Sequence, residues 1–176
     1  TVFVGSHDHD LHAVDAETGK QQWKFGTHGR VKSSPAVVDG TIYVGSEDEN
    51  LYAVDAKTSK PQWKFETNGK IISSPTVIDE VAFVGSKDGN LYAVDAETGK
   101  QQWSFETGVS HSSRTVVDGT VFVGSNDNHL YAVDAETGKQ QWSFETDARI
   151  RSSPTVVDGT IFVGSYDHNL YAINAE

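Results

Sequence analysis

The chain has 176 residues, which is enough for one domain with a substantial core. Its formal net charge of -11 at pH 7 argues against attraction to nucleic acid or to an anionic membrane, and the absence of cysteine excludes disulfides, zinc-thiolate sites and cysteine nucleophiles. No apolar run approaches the ~18 to 20 residues of a membrane span. The 16 glycines and the aromatic fraction of 10% are typical of an all-β protein with many tight turns.

A repeat of close to 40 residues runs through the whole chain, as the spacings of 40, 40 and 39 residues between its tryptophans show. The tryptophans are Trp23, Trp63, Trp103 and Trp142, and Gly5, Gly45, Gly85, Gly124 and Gly164 keep the same step. Each repeat contains four short runs rich in Val, Phe, Tyr, Thr and Trp, separated by turn residues such as Asp118-Gly119. We name these runs strands A to D.

In chain order, the first run is a B strand at residues 1–6, and the C and D strands of that repeat follow it. Three complete ABCD sets come next, and the chain closes with an A strand at 152–158, a B strand and a C strand at 170–173, which makes 18 strands. Middle runs such as 121–123 and 130–133 are continuously apolar, which predicts strands covered on both faces. Four antiparallel strands per repeat of this length predict a β-propeller, and the lack of 3.6-residue spacing excludes a helical solenoid.

The turn between strands C and D carries the motif Ala-x-Asp-x-x-Thr-Gly-Lys-x-x-Trp at 13–23, 93–103 and 132–142. The second copy departs from it at Ser59 and Pro61. This motif resembles the repeats of pyrroloquinoline-quinone (PQQ) dehydrogenases and their non-catalytic relatives, in the subclass with a tryptophan-docking motif. The resemblance covers essentially the whole chain. It implies that each tryptophan stacks between its own blade and a neighbouring blade.

The 18 strands fill neither a ring of four four-stranded blades nor a ring of five. The last A strand could complete the first blade and leave residues 160–176 surplus, both ends could be partial blades of a larger ring, or two chains could pair to complete one ring. We predict a single propeller domain over residues 1–176, with partial blades at 1–25 and 152–176. A fragment or five-blade arc is favoured over a closed four-blade ring.

The two ends of the predicted blades differ in how much their loops vary. The A-to-B turns repeat as VDGT with one exception, and the C-to-D turns read mostly DAETGK. The B-to-C turns vary as HDHD, EDEN, KDGN, NDNH and YDHN, and the D-to-A connections vary as well. Antiparallel order puts both variable sets on one rim of the propeller, and variable loops on a uniform scaffold usually carry specificity.

Basic side chains concentrate in the D-to-A connections, which lead into the innermost strand of each blade. These four segments carry a net charge of +5, whereas the B-to-C turns carry -7. Arginine suits bidentate capture of carboxylate or phosphate, so we expect the channel mouth to bind an anionic group. Neutralisation of neighbouring acidic groups is the simpler alternative. The candidate ligand-binding residues are Arg30, Lys32, Lys70, His111, Arg114, Arg149 and Arg151.

The recurring aspartates, histidines and serines are predicted to have structural rather than chemical roles. The recurring aspartates Asp8, Asp48, Asp88, Asp127 and Asp167 lack the spacing of an EF-hand and fit tight turns in which Gly89, Asn128 or His168 takes a left-handed conformation. Asp15, Asp55, Asp95 and Asp134 recur with a threonine three residues later, as in an Asx turn. His7 and His9 share one turn, and His129 and His168 lie on the same rim but on other blades. The serine pairs lack a recurring His and Asp. We predict no metal site, no cofactor and no catalytic residue.

The sequence favours a non-catalytic binding or scaffold propeller whose variable rim contacts a protein, a peptide or a small anion. A fragment of a PQQ- and calcium-dependent quinoprotein dehydrogenase is the first alternative, although all four tryptophans belong to the docking motif and none is left to stack under a quinone. A recently duplicated or designed repeat protein without evolved function is the second. Self-association could complete the ring. The family resemblance alone favours an extracytoplasmic location.

Overall fold

A computed structural model of the protein describes residues 1–109 and 112–175, and its regular structure is antiparallel β-sheet throughout. Its 18 strands, the number predicted, form five sheets that follow one another along the chain. We call these sheets blades 1 to 5. Blade 1 consists of β1 (Val2–Gly5), β2 (Asp10–Val14) and β3 (Gln21–Gly26), and blade 2 of β4 (Ala36–Val38), β5 (Thr41–Gly45), β6 (Asn50–Asp55) and β7 (Pro61–Glu66).

The remaining blades repeat this pattern. Blade 3 consists of β8 (Thr76–Ile78), β9 (Val81–Gly85), β10 (Asn90–Asp95) and β11 (Gln101–Glu106). Blade 4 consists of β12 (Thr115–Val117), β13 (Thr120–Gly124), β14 (His129–Asp134) and β15 (Gln140–Glu145). Blade 5 consists of β16 (Thr155–Val157), β17 (Thr160–Gly164) and β18 (Leu170–Asn174). The all-β propeller prediction is therefore confirmed.

The A strands are shorter than the sequence suggested. β16 covers only part of the predicted segment 152–158. Ser152 explains the difference, because its side-chain Oγ donates to the carbonyl oxygen of Gly164 at 2.8 Å and accepts from the Gly164 N–H at 2.9 Å. A side-chain hydroxyl thus takes the place of the backbone ladder, which begins three residues later.

The B and C strands of the three central blades form the core, as their apolar runs predicted. Every residue of β6 except Asp55 is buried, and β10 follows the same pattern with only its end residues partly exposed. Neighbouring blades share each apolar cluster: Phe83, Leu91 and Ala93 of blade 3 pack with Val121, Val123 and Val133 of blade 4. Because each sheet is covered by a sheet on both sides, alternation of polar and apolar residues is lost in these strands.

The short A strands lie next to one another and line the axis of the assembly. β8 contacts both β4 and β12, and β12 contacts β16. Side chains reinforce these contacts, since Ser34 N–H donates to Ser74 Oγ at 3.0 Å and Thr76 Oγ1 donates to the carbonyl oxygen of Arg114 at 2.8 Å. The loops that lead into the A strands therefore lie around the inner edge of the series of blades, where the sequence predicted the mouth of a channel.

The last A strand does not complete the first blade. β16 pairs with β17 in blade 5, and blade 1 is a sheet of β1, β2 and β3 only. The outer faces of both end blades are uncovered within the described residues: Val2 is 52% and Leu170 73% exposed, whereas the equivalent Ile42 and Leu130 are fully buried. The alternative that leaves residues 160–176 surplus is not the arrangement that the chain adopts.

Candidate binding rim

The D-to-A connections and the B-to-C turns lie on the same rim because they are hydrogen-bonded to each other. Glu47 N–H donates to the carbonyl oxygen of Arg30 at 2.9 Å, and Tyr166 N–H donates to that of Arg149 at 3.0 Å. In each case the connection leaving one blade meets the turn of the next blade. We call this surface the variable rim, consisting of the D-to-A connections 27–35, 67–75, 107–109 with 112–114, and 146–154, together with the B-to-C turns.

Two of the predicted ligand-binding lysines converge on one carboxylate of the variable rim. Lys32 Nζ lies 2.6 Å from Glu47 Oε1, and Lys70 Nζ lies 3.2 Å from Glu47 Oε2. The hydrogen bond from Lys32, helped by that from Lys70, lowers the pKa of Glu47 to about 2 although partial burial opposes the shift. Lys32 and Lys70 thus neutralise an acidic neighbour, which is the simpler of the two roles that the sequence allowed.

The connection between blades 4 and 5 presents arginines beside an aromatic ring. Arg151 Nε donates to Asn126 Oδ1 at 3.0 Å, and its guanidinium carbon lies 5.5 Å from the centre of the Tyr166 ring. Tyr166 is 61% exposed and Arg149 is also exposed. Among the described residues, no hydrogen bond or ion pair involves the side chains of Arg30 and Arg149, so these two cations face solvent. His111 lies outside the described residues.

Arg114 differs from the other predicted cations because it is buried, with 3% of its surface exposed. Its Nη1 donates to Ser73 Oγ at 2.5 Å, so the side chain reaches from blade 4 into blade 3. Burial lowers the pKa of Arg114 to about 9. The structure therefore divides the seven predicted residues into an ion-paired group, an exposed group and one buried arginine, with His111 not placed.

The recurring B-to-C aspartates have the turn role that the sequence predicted. Asp88 Oδ1 accepts from Asn90 N–H at 3.0 Å, and Asp88 Oδ2 accepts from Tyr92 OH at 2.9 Å and from the N–H of Asn68, in the connection arriving from blade 2, at 3.0 Å. The residue after this aspartate has a positive φ, as at Gly89 (95°) and His168 (72°). Asp48, Asp88 and Asp167 thus each hold their turn against the connection that arrives from the preceding blade.

Blade 1 departs from this pattern in a way that the sequence reasoning missed. His12 stands where the other blades have tyrosine, and Asp10 stands where they have asparagine or histidine. Asp8, Asp10 and His12 can offer ligand atoms within 4.8 Å of one another. The Nζ of Lys24 lies 2.7 Å from Asp10 Oδ2, so an ion pair already occupies part of this group. Comparison of position 12 across the repeats would have found it.

The C-to-D aspartates and the serine pairs are structural, as expected. Asp95 Oδ1 accepts from the Thr98 N–H at 2.7 Å and from Thr98 Oγ1 at 2.6 Å, and the hydrogen bond from the Thr98 hydroxyl is the main cause of the lowered pKa of Asp95. Ser33 Oγ donates to the Gly45 carbonyl at 2.8 Å. These groups take part in hydrogen bonds that repeat from blade to blade.

Two clefts lie between blades on the opposite rim, which the uniform loop sequences gave no reason to expect. A cavity of 520 Å³ between blades 2 and 3 is lined by Tyr43, Val77 and Ala96 and by the carboxylates of Asp79 and Glu97, among others. A cavity of 640 Å³ occupies the equivalent place between blades 3 and 4. The opposite rim is thus acidic and concave, whereas the exposed unpaired arginines lie on the variable rim.

The tryptophans join successive blades. Trp63 Nε1 donates to the Ala96 carbonyl of the next blade at 3.0 Å, and a methyl group added at Gly99 would lie 2.7 Å from its Cδ2. The ring also lies 5.8 Å from that of Tyr43 in its own blade. Trp23 and Trp103 donate to Ala56 and Ala135 in the same way.

With these repeating contacts established, the family follows from comparison of the sequence with known families. A family model described as "Outer membrane protein assembly factor BamB", of the PQQ-repeat type, matches residues 7–115 and 106–176. The chain belongs to this family. A search of curated protein sequences gave no match.

Solved structures support the fold of this BamB-type family member. BamB from Moraxella catarrhalis is similar with a TM-score of 0.87 at 21% identity, over 98% of this chain and 54% of that one. The computationally designed Ika8 protein is similar with a TM-score of 0.88 at 15% identity, over 98% of this chain and 54% of that one. The designed Ika4 protein gives 0.78 at 15% identity, over 86% of this chain and 94% of that one. The chain thus spans about half the length of BamB and Ika8.

The described part of the chain contains no helix long and apolar enough to cross a membrane.

Proposed function

We propose that this chain is a non-catalytic binding propeller whose variable rim contacts a protein or peptide through acidic groups of that partner. The family is described as an outer membrane protein assembly factor, which favours a protein partner over a free small molecule. The tryptophan contacts between blades support membership of the tryptophan-docking subclass.

The observation that carries this proposal is the arrangement of Arg149, Arg151 and Tyr166 on the variable rim. Exposed arginine and tyrosine side chains are enriched among the residues that contribute most to protein interfaces. Here the Tyr166 ring and the Arg151 guanidinium stack 5.5 Å apart, which restricts both side chains before a partner binds. Arg149, exposed beside them, can form a bidentate pair with a carboxylate.

The positions of the tryptophans support the absence of catalysis. Trp23, Trp63 and Trp103 each donate to a carbonyl oxygen of the following blade, and Trp142 packs in the cluster shared by blades 4 and 5. No tryptophan is therefore left to stack under a quinone at the channel. We expect the absorbance spectrum of PQQ with calcium to be unchanged by the protein, and a saturable spectral shift would favour the dehydrogenase alternative.

Binding of a fluorescein-labelled peptide rich in glutamate, with one phenylalanine, tests the proposed surface by fluorescence anisotropy. We expect the double variant Arg149→Ala, Arg151→Ala to weaken binding by about tenfold or more, because each lost charged contact at an interface is worth roughly 1 kcal/mol or more. Raising the salt concentration should weaken parent binding and reduce the difference.

The double variant Lys100→Ala, Lys139→Ala is the matched control. It removes the same total charge from two exposed lysines that lie after the C-to-D turns, on the opposite rim. We expect it to change the affinity by less than about twofold, since distant exposed charges are screened. Equal losses in the two double variants would show that only net charge matters and would overturn the proposed surface.

We further propose that residues 1–176 act as one propeller domain that can associate with a second copy through its end faces. Phe162 is 38% and Leu170 73% exposed on blade 5, whereas the equivalent Phe122 and Leu130 are covered by the following blade. Val2 and Val4 of blade 1 are exposed on the face that receives a neighbour in the other blades. Light scattering should show concentration-dependent dimers in the parent, and Leu170→Glu should abolish them; a strictly monomeric parent would contradict this.

A further inference from the structure

Arg114 occupies a position that is proline in the other three copies of its segment. Pro35, Pro75 and Pro154 follow the serine pairs of the other D-to-A connections, whereas Arg114 follows Ser112-Ser113. The same copy also lacks the apolar residue found four positions earlier in the others, where Ser110 stands in place of Val31, Ile71 or Ile150. Two departures therefore coincide in one connection.

The guanidinium of Arg114 fills the space that an aliphatic side chain fills at the other blade junctions. A methyl group added at Gly45 would lie 2.1 Å from Cγ2 of Ile71, and one added at Gly124 would lie 2.3 Å from Cγ2 of Ile150. At the equivalent Gly85, the added methyl group would meet Nη2 of Arg114. A cation thus takes the place of an apolar group between blades 3 and 4.

The hydrogen bonds around Arg114 satisfy only one of its three nitrogens. Nη1 donates to Ser73 Oγ, an oxygen that in the other copies accepts from the N–H of the packed glycine, as Ser33 Oγ does from Gly45 at 2.9 Å. Nε and Nη2 are buried and have no hydrogen-bond partner among the described residues. These two nitrogens form one edge of the guanidinium, the edge that pairs side-on with both oxygens of a carboxylate.

The positive charge of Arg114 is also not balanced by a carboxylate of the described residues. The ion pairs among residues 1–109 and 112–175 do not include Arg114. Burial of an unpaired charge is strongly unfavourable, and here burial lowers the pKa of Arg114 only to about 9, so the side chain stays charged at pH 7. A single negative charge would balance it, whereas a phosphate dianion would leave an uncompensated buried charge.

We propose that Arg114 is the receptor for one carboxylate at the junction of blades 3 and 4, which pairs with its Nε and Nη2 after the side chain leaves its contact with Gly85. Arg114 directly precedes β12, and its partner Ser73 lies just before β8, so the guanidinium is placed beside the two innermost strands at the channel mouth. The carboxylate belongs either to a free small acid or to an acidic residue of a bound peptide. This inference rests on the proposed use of the variable rim for binding and names a particular anchor within it.

Sodium acetate is the probe for the free acid, with ionic strength held constant by sodium chloride. We expect the Arg114 Nε–H resonance of ¹⁵N-labelled parent protein to move and saturate with acetate but not with chloride. The urea midpoint of the parent should rise with the logarithm of acetate concentration, because a ligand that binds only the folded state stabilises it. Arg114→Met, which keeps an apolar side chain of similar length, should lose this rise, and Arg30→Met should keep it.

The glutamate-rich peptide of the anisotropy experiment is the probe for a carboxylate that belongs to a macromolecular partner. A peptide that moves the Nε–H resonance where acetate does not would assign the carboxylate to a macromolecular partner. The inference is overturned if neither probe moves the resonance, or if Arg114→Met and the parent respond equally to acetate. The resonance measurement uses only the parent protein, so it decides the question even if the variant fails to fold. If Arg149→Ala, Arg151→Ala loses peptide binding but the Arg114 resonance does not move, the proposed function is supported and the role of Arg114 is overturned. If acetate moves the resonance but the double variant binds the peptide like the parent, the role of Arg114 is supported and the proposed function is overturned.

Discussion

Truncation of Trp103 measures what one blade-to-blade anchor contributes to stability. Its ring is half-buried, lies 5.8 Å from that of Phe83 and packs on Gly138 of the next blade, where an added methyl group would lie 2.7 Å from its Cδ2. Half of a ~200 Å² side chain at ~25 cal/mol/Å² gives about 2.5 kcal/mol. The Nε1–H bond to the Ala135 carbonyl, at 3.0 Å, adds about 1 kcal/mol.

We therefore expect Trp103→Ala to lower the free energy of unfolding by about 3.5 kcal/mol, measured by urea denaturation followed by far-ultraviolet circular dichroism. Trp103→Phe keeps most of the packing and loses the donor, so it should cost about 1 kcal/mol. A loss below about 1 kcal/mol for the alanine variant would refute the anchoring role. A loss confined to a separate early transition would show that blades 3 and 4 uncouple before the rest unfolds.

Three further changes test individual contacts. Gly45→Ala should cost about 2 kcal/mol in urea unfolding, because its methyl group would overlap Ile71. Glu47→Gln should reduce the loss of stability that the parent shows at low pH. The pKa of Glu47 is about 2 in the folded protein and ordinarily 4.5, so its ion pairs stabilise the protein above pH 4.5 and this contribution is lost as the pH falls towards 2. Tyr92→Phe should cost about 1.5 kcal/mol at neutral pH, because the Tyr92 hydroxyl donates to Asp88. Burial and this bond raise the pKa of Tyr92 from 10 to about 12, so its contribution to stability is present below pH 10 and is lost as the pH rises towards 12. The variant should therefore lose less stability than the parent over that pH range.

Each of these changes has a matched control within the chain. Gly164 is the repeat equivalent of Gly45, but an added methyl group there would meet nothing closer than 3.6 Å, so Gly164→Ala should be nearly neutral. Glu49→Gln alters an exposed glutamate in the same turn as Glu47 and should change the free energy of unfolding at pH 7 by less than about 0.5 kcal/mol. Tyr166→Phe removes an exposed hydroxyl group and should lower the free energy of unfolding by less than about 0.5 kcal/mol. A control that behaves like its partner variant would contradict the contact assigned there.

Sequence reasoning succeeded where a residue's role repeats in every blade. The turn at Asp118-Gly119 has φ of 47° and 73°, as expected for a tight hairpin. The apolar B and C strands are buried because sheets cover both of their faces. In these elements local propensity, turn chemistry and core packing all favour the same structure, so the pattern alone was sufficient.

The sequence alone did not show which charged side chains form ion pairs and which face solvent. Lys32 and Arg149 look equivalent in a list of basic loop residues, yet Lys32 pairs with Glu47 and Arg149 faces solvent. Pairing depends on which turn of the next blade lies opposite, and this is a tertiary property. The burial of Arg114 had a visible signal, the replacement of a repeated proline, but its direction into blade 3 depends on the glycine at position 85.

The direction of the tryptophan hydrogen bonds bears on how this chain folds as it is synthesised. Trp23, Trp63 and Trp103 each donate to a carbonyl only 33, 33 and 32 residues further along the chain. The indole N–H of a newly synthesised blade therefore bonds to water until the next C-to-D turn, which carries its carbonyl partner, has emerged. We therefore expect blades to consolidate stepwise from the amino terminus, each less than one repeat behind synthesis.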